Sequence, residues 1–420
     1  MSEKKHKERR RERAQKEEPK VNKISDVKMA YIIYGKKVFV IPIVIAIILG
    51  AVIWGIVYNT RKNNAPQENA DNQKEQINYI WGEIKPGKRN TNNFTTVRSS
   101  DGVDVPVPTG YTASSASDEN SVKGGFVIYE GTEAVTDSNK WEAQCNRNQY
   151  VWIPIADISD MYWRDQTTGK KYGTTYTFSS SSYSKSSSNK KEPQTTSYDI
   201  QSTYLTKYLN GMSREDFLME MEIDFDKMLN SVATYGGYYI GRYETGDLSQ
   251  ATPVVKRMNT DIGSQNWWQM WKKARKLSGT SAGAQMIWGI QWDETLKWLI
   301  DTGEKTYAEI GSDSISWGNY WNNSFTYYTN TSKSTATKSS YSDVRIPSGA
   351  YEGANANNVF GLAGNVCDWT LESYGSRTGN YRYSRGGSYD GGSVPAANRT
   401  YYNPYNSSDD VGLRCALYIK

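Results

Sequence analysis

The sequence predicts a mixed α+β domain with an irregular outer face, preceded by one transmembrane helix. Three observations carry that prediction. An uncharged run of about 21 residues stands early in the chain. Beyond it Trp and Tyr are dense among short segments of strand character, and the last stretch exchanges helical periodicity for glycine-punctuated loops.

Residues 1–37 form a charged tail without apolar periodicity, with 13 Lys/Arg against 6 Asp/Glu. The whole chain carries +5, so the tail holds about +7 and the remainder about −2. The basic balance therefore belongs to the tail, and the rest gives no electrostatic reason to expect nucleic acid. Residues 38–58, VFVIPIVIAIILGAVIWGIVY, have the length that crosses a bilayer core. A cleaved signal peptide would have a shorter leader and an A-x-A-like site behind it. Lys36 and Lys37 stand at the near edge and only Arg61 and Lys62 closely follow, so the tail is expected in the cytoplasm and the bulk of the chain outside. This is the pattern of a single-pass protein of a cell membrane, bacterial in our reading.

Residues 59–78 are polar and read as a linker, and residues 79–420 as the external domain. Within it, 123–130 and 149–155 read as strands bounded by turn-forming residues. A Ser/Thr/Lys-rich insertion at 172–199 is expected to be a mobile surface loop, since its composition cannot bury a core. Residues 213–232 predict a helix opened by Ser213 with Asp216, with Phe217, Met221, Met228 and Val232 at helical spacing. Its acids Glu220, Glu222, Asp224 and Asp226 do not all project to one side, so a solvated face is expected rather than a metal site. A strand follows at 236–246, then helices at 266–279 and 290–303, the second with Trp292, Leu296 and Leu299 on one face.

The three cysteines, Cys145, Cys367 and Cys415, are too few for a disulfide scaffold. The sole histidine, His6, lies in the tail. No Ser-His-Asp triad, Cys-His pair or His-ligated zinc or iron can be assembled in the external domain.

From about Val103 onward, GGYYIGRYE, QWDETLKWL, SWGNYWN, GLAGNVCDWTLE, YSRGGSY, the arginine of AANR and the closing VGLRCAL occur in an order that resembles the formylglycine-generating enzyme, or sulfatase-modifying factor, family. The resemblance implies an irregular α+β fold related to C-type lectin-like domains. In that family copper-binding cysteines fall two and seven residues after the tyrosine of GGSY; here those positions are Gly391 and Ala396, so no copper is expected. The resemblance also implies a calcium site made by the carbonyls of Gly361, Gly364 and Val366 with the carboxylate of Asp368, a hard-oxygen set suited to Ca²⁺. Cys415 matches the family's terminal cysteine, and an oxidising exterior would permit a Cys367–Cys415 disulfide; two buried thiols are the alternative.

Residues 388–410 are rich in Tyr, Asn, Ser, Asp and Gly, the composition of binding loops. In the family this region shapes the ligand cleft. Tyr389, Asp390, Arg399, Tyr401, Tyr402, Asn403, Tyr405 and Asn406 are the candidate contacts, with a solvated loop as the plainer reading. The function expected is recognition of an extracellular protein or glycan by a non-catalytic scaffold. The alternatives are an enzyme with other chemistry, a cell-envelope structural subunit, or a hypervariable protein of the kind diversity-generating retroelements produce on this fold.

Overall fold

The structure, a computed structural model, describes residues 83–193, 202–374, 381–392 and 394–420. The tail, the apolar run at 38–58, the linker and residues 194–199 of the insertion lie outside the described residues. Among the described residues no helix is long and apolar enough to cross a membrane.

The main sheet is antiparallel and six-stranded, in the order β11 (Ala282–Met286), β20 (Cys415–Ile419), β10 (Gly237–Gly241), β5 (Gln149–Pro154), β4 (Val127–Glu130), β3 (Tyr111–Ala113). The expected strands at 123–130, 149–155 and 236–246 are β4, β5 and β10, each shorter than expected. β10, GYYIG, is buried throughout because sheet neighbours and helices cover it on all sides. A hairpin of β1 (Phe94–Arg98) and β2 (Asp104–Pro108) precedes this sheet.

Among the described residues six helices accompany the strands: α1 (Lys140–Asn146), α2 (Ser202–Leu209), α3 (Arg214–Tyr235), α4 (Trp267–Ala274), α5 (Gly289–Asp301) and α6 (Tyr307–Gly311). Ser213 caps α3, its hydroxyl accepting from the Asp216 amide, and Asn266 closes a full capping box on α4. Each cap satisfies amide protons that have no partner inside the helix. Trp292, Leu296 and Leu299 of α5 are buried in the main core with Trp267, Trp268 and Phe217. Each contributes roughly 1.5–3 kcal/mol by leaving water. Tyr238 of β10 bonds Thr295 at 2.9 Å, fixing α5 to the sheet.

Two expectations fail. The Ser-rich insertion is ordered over its described part: β7 (Lys171–Gly173) pairs with β6 (Tyr162–Arg164), and β8 (Thr175–Phe178) with β9 (Tyr183–Ser186). Its few aromatics explain this, because Tyr172, Tyr176 and Phe178 are buried. The acids of α3 do not form a solvated face either. Lys171 pairs with Asp226 at 2.9 Å, and Arg275 binds both Glu220 and Asp224. Burial pushes the Asp226 carboxyl up to about 7, with Lys171 opposing that rise.

The later strands form a four-stranded sheet, β18 (Arg399–Tyr402), β17 (Arg382–Arg385), β16 (Cys367–Ser373), β19 (Val411–Leu413). Two hairpins, β12 (Phe325–Tyr328) with β13 (Thr335–Lys338) and β14 (Asn355–Ala356) with β15 (Val359–Phe360), complete the fold.

Candidate functional site

On β17 and β18 the pairs Arg385/Arg399 and Tyr383/Tyr401 are alternate rungs of one ladder, with Ser384/Thr400 between them. Side chains two residues apart share a face, so arginines and tyrosines project to the same side. Arg385 is buried and Arg399 half-buried. Arg385 Nη2 lies 2.7 Å from Asp293 Oδ1, Arg399 Nη2 2.5 Å from Asp293 Oδ2, and Arg399 Nε 3.1 Å from both oxygens of Glu372. Asp293 comes from α5 and also accepts from the Tyr176 amide of the insertion at 2.9 Å. The insertion adds Glu192, whose two oxygens accept from the Gly289 and Ile290 amides at 2.7 and 2.6 Å, covering orphan donors at the start of α5. Burial, reinforced by Glu372, pushes the Glu192 carboxyl up to about 8.

The tyrosine rung emerges beside this network. Tyr401 lies 4.2 Å from Tyr374 and 5.2 Å from Tyr381, and Tyr374 lies 5.6 Å from Tyr383, by ring centroids. Lys191 Nζ sits 4.9 Å from the Tyr383 ring. Tyr401 is 48% exposed. Tyr374, Tyr381 and Tyr383 are absent from the contacts expected from sequence, although the alternation of Tyr381, Tyr383 and Arg385 was there to place them on one face.

The expected contacts do not form one patch. Tyr401 joins the tyrosine cluster, whereas Arg399 is paired with Asp293 and Glu372. Tyr389 is buried, with its hydroxyl donating to Asp409 Oδ2 at 3.1 Å. Tyr402 projects to the other face, donates to Asp410 at 3.2 Å and meets Trp369 edge-on at 5.9 Å. Tyr405 lies parallel to Trp268 at 6.4 Å, Asn403 accepts from the Tyr405 amide at 3.0 Å, and Asp390 and Asn406 are exposed.

The Gly364-Asn365 turn is structural. Gly364 has φ +71°, and a Cβ there would stand 2.2 Å from the Asn319 carbonyl oxygen. Asn365 donates to Glu244 at 3.0 and 2.9 Å and accepts from the Ile346 amide at 3.0 Å. Burial and then the neighbouring Asp368 push Glu244 up to about 8. The expected calcium set does not fit a cation as it stands. Arg414 Nε donates to Asp368 Oδ2 at 2.8 Å and Arg414 Nη2 to the Gly361 carbonyl at 3.0 Å, so a guanidinium already holds two of the four groups. Gly364 and Val366 lie between these two in sequence.

Gly391 and Ala396 occupy unlike surroundings. Gly391 is on the surface loop, its carbonyl accepting from the Trp321 amide at 2.9 Å. Ala396 is buried, its amide on Ser314 Oγ at 2.8 Å and its carbonyl on the Trp292 indole at 3.1 Å. Among the described residues no group of three or more His, Cys, Asp or Glu is placed to hold a metal. Cys145, Cys367 and Cys415 are free and buried, so the Cys367–Cys415 bridge is not formed. The two sit on strands of different sheets, and burial pushes both thiols up to about 12.

The family model described as a sulfatase-modifying factor enzyme 1-like domain matches residues 125–419. A comparison with curated proteins found no match. Among solved structures, CarF is similar at 15% identity over 44% of this chain and 87% of its own, with a TM-score of 0.31. Treponema denticola variable protein 1 is similar at 16% identity over 43% of this chain and 84% of its own, with a TM-score of 0.27.

Proposed function

Because the chain belongs to the sulfatase-modifying factor enzyme 1-like family and carries Gly391 and Ala396 at the positions where the resemblance implies copper-binding cysteines, we propose that it recognises a ligand and does not transform it. The observation that carries this reading is the tyrosine cluster of the small sheet, with Tyr401 exposed at its margin. Tyrosine supplies rigid amphipathic contact area at low entropic cost. The neighbouring carboxylates Asp293 and Glu372 are both engaged by arginines, which leaves no free acid/base pair beside the rings among the described residues. The uncharged run at 38–58 supports display of the domain outside a cell membrane, with the tail inside. The ligand class is an external protein or glycan.

The test is binding of the full-length chain to surface-protein and glycan arrays beside a Tyr374→Ala/Tyr381→Ala/Tyr401→Ala variant. Capture by the wild type and loss in the folded variant support recognition at this face. Equal capture by both of every component that the wild type binds, or turnover of an array component, overturns it.

A further inference from the structure

A second pair of rings stands apart from the tyrosine cluster. Trp321 is 38% exposed and Tyr341 70% exposed, with ring centroids 4.9 Å apart at 71°. The Tyr341 amide donates to the Trp321 carbonyl at 2.7 Å, and the Trp321 amide to the Gly391 carbonyl at 2.9 Å, so backbone bonds set the corner the rings make. Tyr341 adopts φ +64°. A bulky residue in the left-handed region is an outlier that costs of order 1–3 kcal/mol, and here the strained position holds one of the most exposed aromatic rings of the described residues. Neither the Trp321 indole nor the Tyr341 phenol has a hydrogen-bond partner among the described residues. Asn322, Ser340 and Ser342 adjoin the ring residues in sequence, and Asp390 and Gly392 adjoin Gly391, whose carbonyl accepts from the Trp321 amide. Asp390 is exposed, with Oδ1 held by Ser388 at 2.6 Å.

We propose that Trp321 and Tyr341 form a saccharide-binding platform, independent of the tyrosine cluster. A pyranose ring has an apolar C–H face and a rim of hydroxyls. The indole face and the tilted phenol match the first; the indole N–H, the phenol and the Asp390 carboxylate match the second. Two rings within a polar rim fall far short of the roughly 800 Å² per partner of a stable protein interface. They suit a ligand the size of one or two sugars, whose burial needs few but pre-placed contacts.

The test uses the full-length chain on an array of neutral hexose and N-acetylhexosamine oligosaccharides, with Trp321→Ala, Tyr341→Phe, Tyr341→Gly and the tyrosine-cluster triple variant. The wild type, Tyr341→Phe and the triple variant are expected to bind at least one oligosaccharide. Trp321→Ala and Tyr341→Gly are expected to lose at least tenfold in affinity. Because glycine accepts φ +64° freely, Tyr341→Gly should keep or raise the melting temperature while losing binding, which a structural tyrosine would not do. No oligosaccharide bound by the wild type, binding unchanged in Trp321→Ala, or a lowered melting temperature in Tyr341→Gly overturns the proposal.

Discussion

Two alternate rungs of one β-ladder have different fates. Arg385/Arg399 and Tyr383/Tyr401 stand on the same face of β17 and β18. On the first rung Arg385 is buried and the half-buried Arg399 is tied to Asp293 and Glu372, while on the second Tyr383 is buried and Tyr401 meets solvent. What separates them is what lies above: Asp293 from α5, and Tyr176, Lys191 and Glu192 from the insertion. A buried guanidinium must be matched by carboxylates, so the first rung is fixed by Asp293 and Glu372. The second is held by ring-on-ring contacts that leave part of its surface free. Composition describes Arg399 and Tyr401 alike as binding loop; what covers each strand position separates them.

The sharpest way to break this contrast is at the buried rung. Asp293→Ala strands two guanidinium groups in the interior, and removing one partner of a buried pair costs about 3–5 kcal/mol. Thermal or denaturant melting of the full chain should show that loss, or no folded protein at all. A loss below about 1 kcal/mol would mean the network is hydrated or mobile. The opposite is expected at the exposed rung. Tyr374→Ala/Tyr381→Ala/Tyr401→Ala should weaken capture of an array-identified ligand at least about tenfold, with a much smaller change in melting temperature than Asp293→Ala.

A subtler probe is pH. The Glu192 carboxyl is pushed from 4.5 up to about 8 in the folded chain. Between those values the folded state keeps a proton that the unfolded chain has released. Its stabilising contribution is therefore full below about pH 4.5 and is lost as pH rises through about 8, by up to about 1.4 kcal/mol per pH unit. Glu192→Gln should flatten stability against pH over that window; an unchanged slope would show that Glu192 ionises normally. The smallest expected effect concerns calcium. With Arg414 on Asp368 and Gly361, adding Ca²⁺ or a chelator should leave the melting temperature of the full chain unshifted. A rise with Ca²⁺ would mean that the guanidinium yields its place, since any ligand of the folded state stabilises it.

Much of the scaffold was legible in sequence because local signals and tertiary demand agreed. Ser213 capped its helix and Trp292, Leu296 and Leu299 turned inward as their spacing required. Legibility failed where a long-range partner overrode local chemistry. The acids of α3 read as solvated because nothing nearby in sequence revealed Lys171 or Arg275 as partners. The insertion read as mobile because its serines outnumber the few residues, Tyr172, Tyr176, Phe178 and Glu192, that anchor it. Arg399 read as a ligand contact because its partners, Asp293 and Glu372, lie 106 and 27 residues away. The tyrosines gathered by β16 and β17 were overlooked because attention followed composition beyond residue 388, whereas the strand alternation that groups them begins at Tyr381.

The central claim is that this scaffold recognises without transforming. The most direct measurement is the intact mass of an array-identified ligand recovered after prolonged incubation with the full-length chain. The account predicts recovery of the ligand at unchanged mass from a saturable complex. A ligand recovered cleaved, oxidised or otherwise altered in mass, in proportion to the amount of chain present, would contradict it.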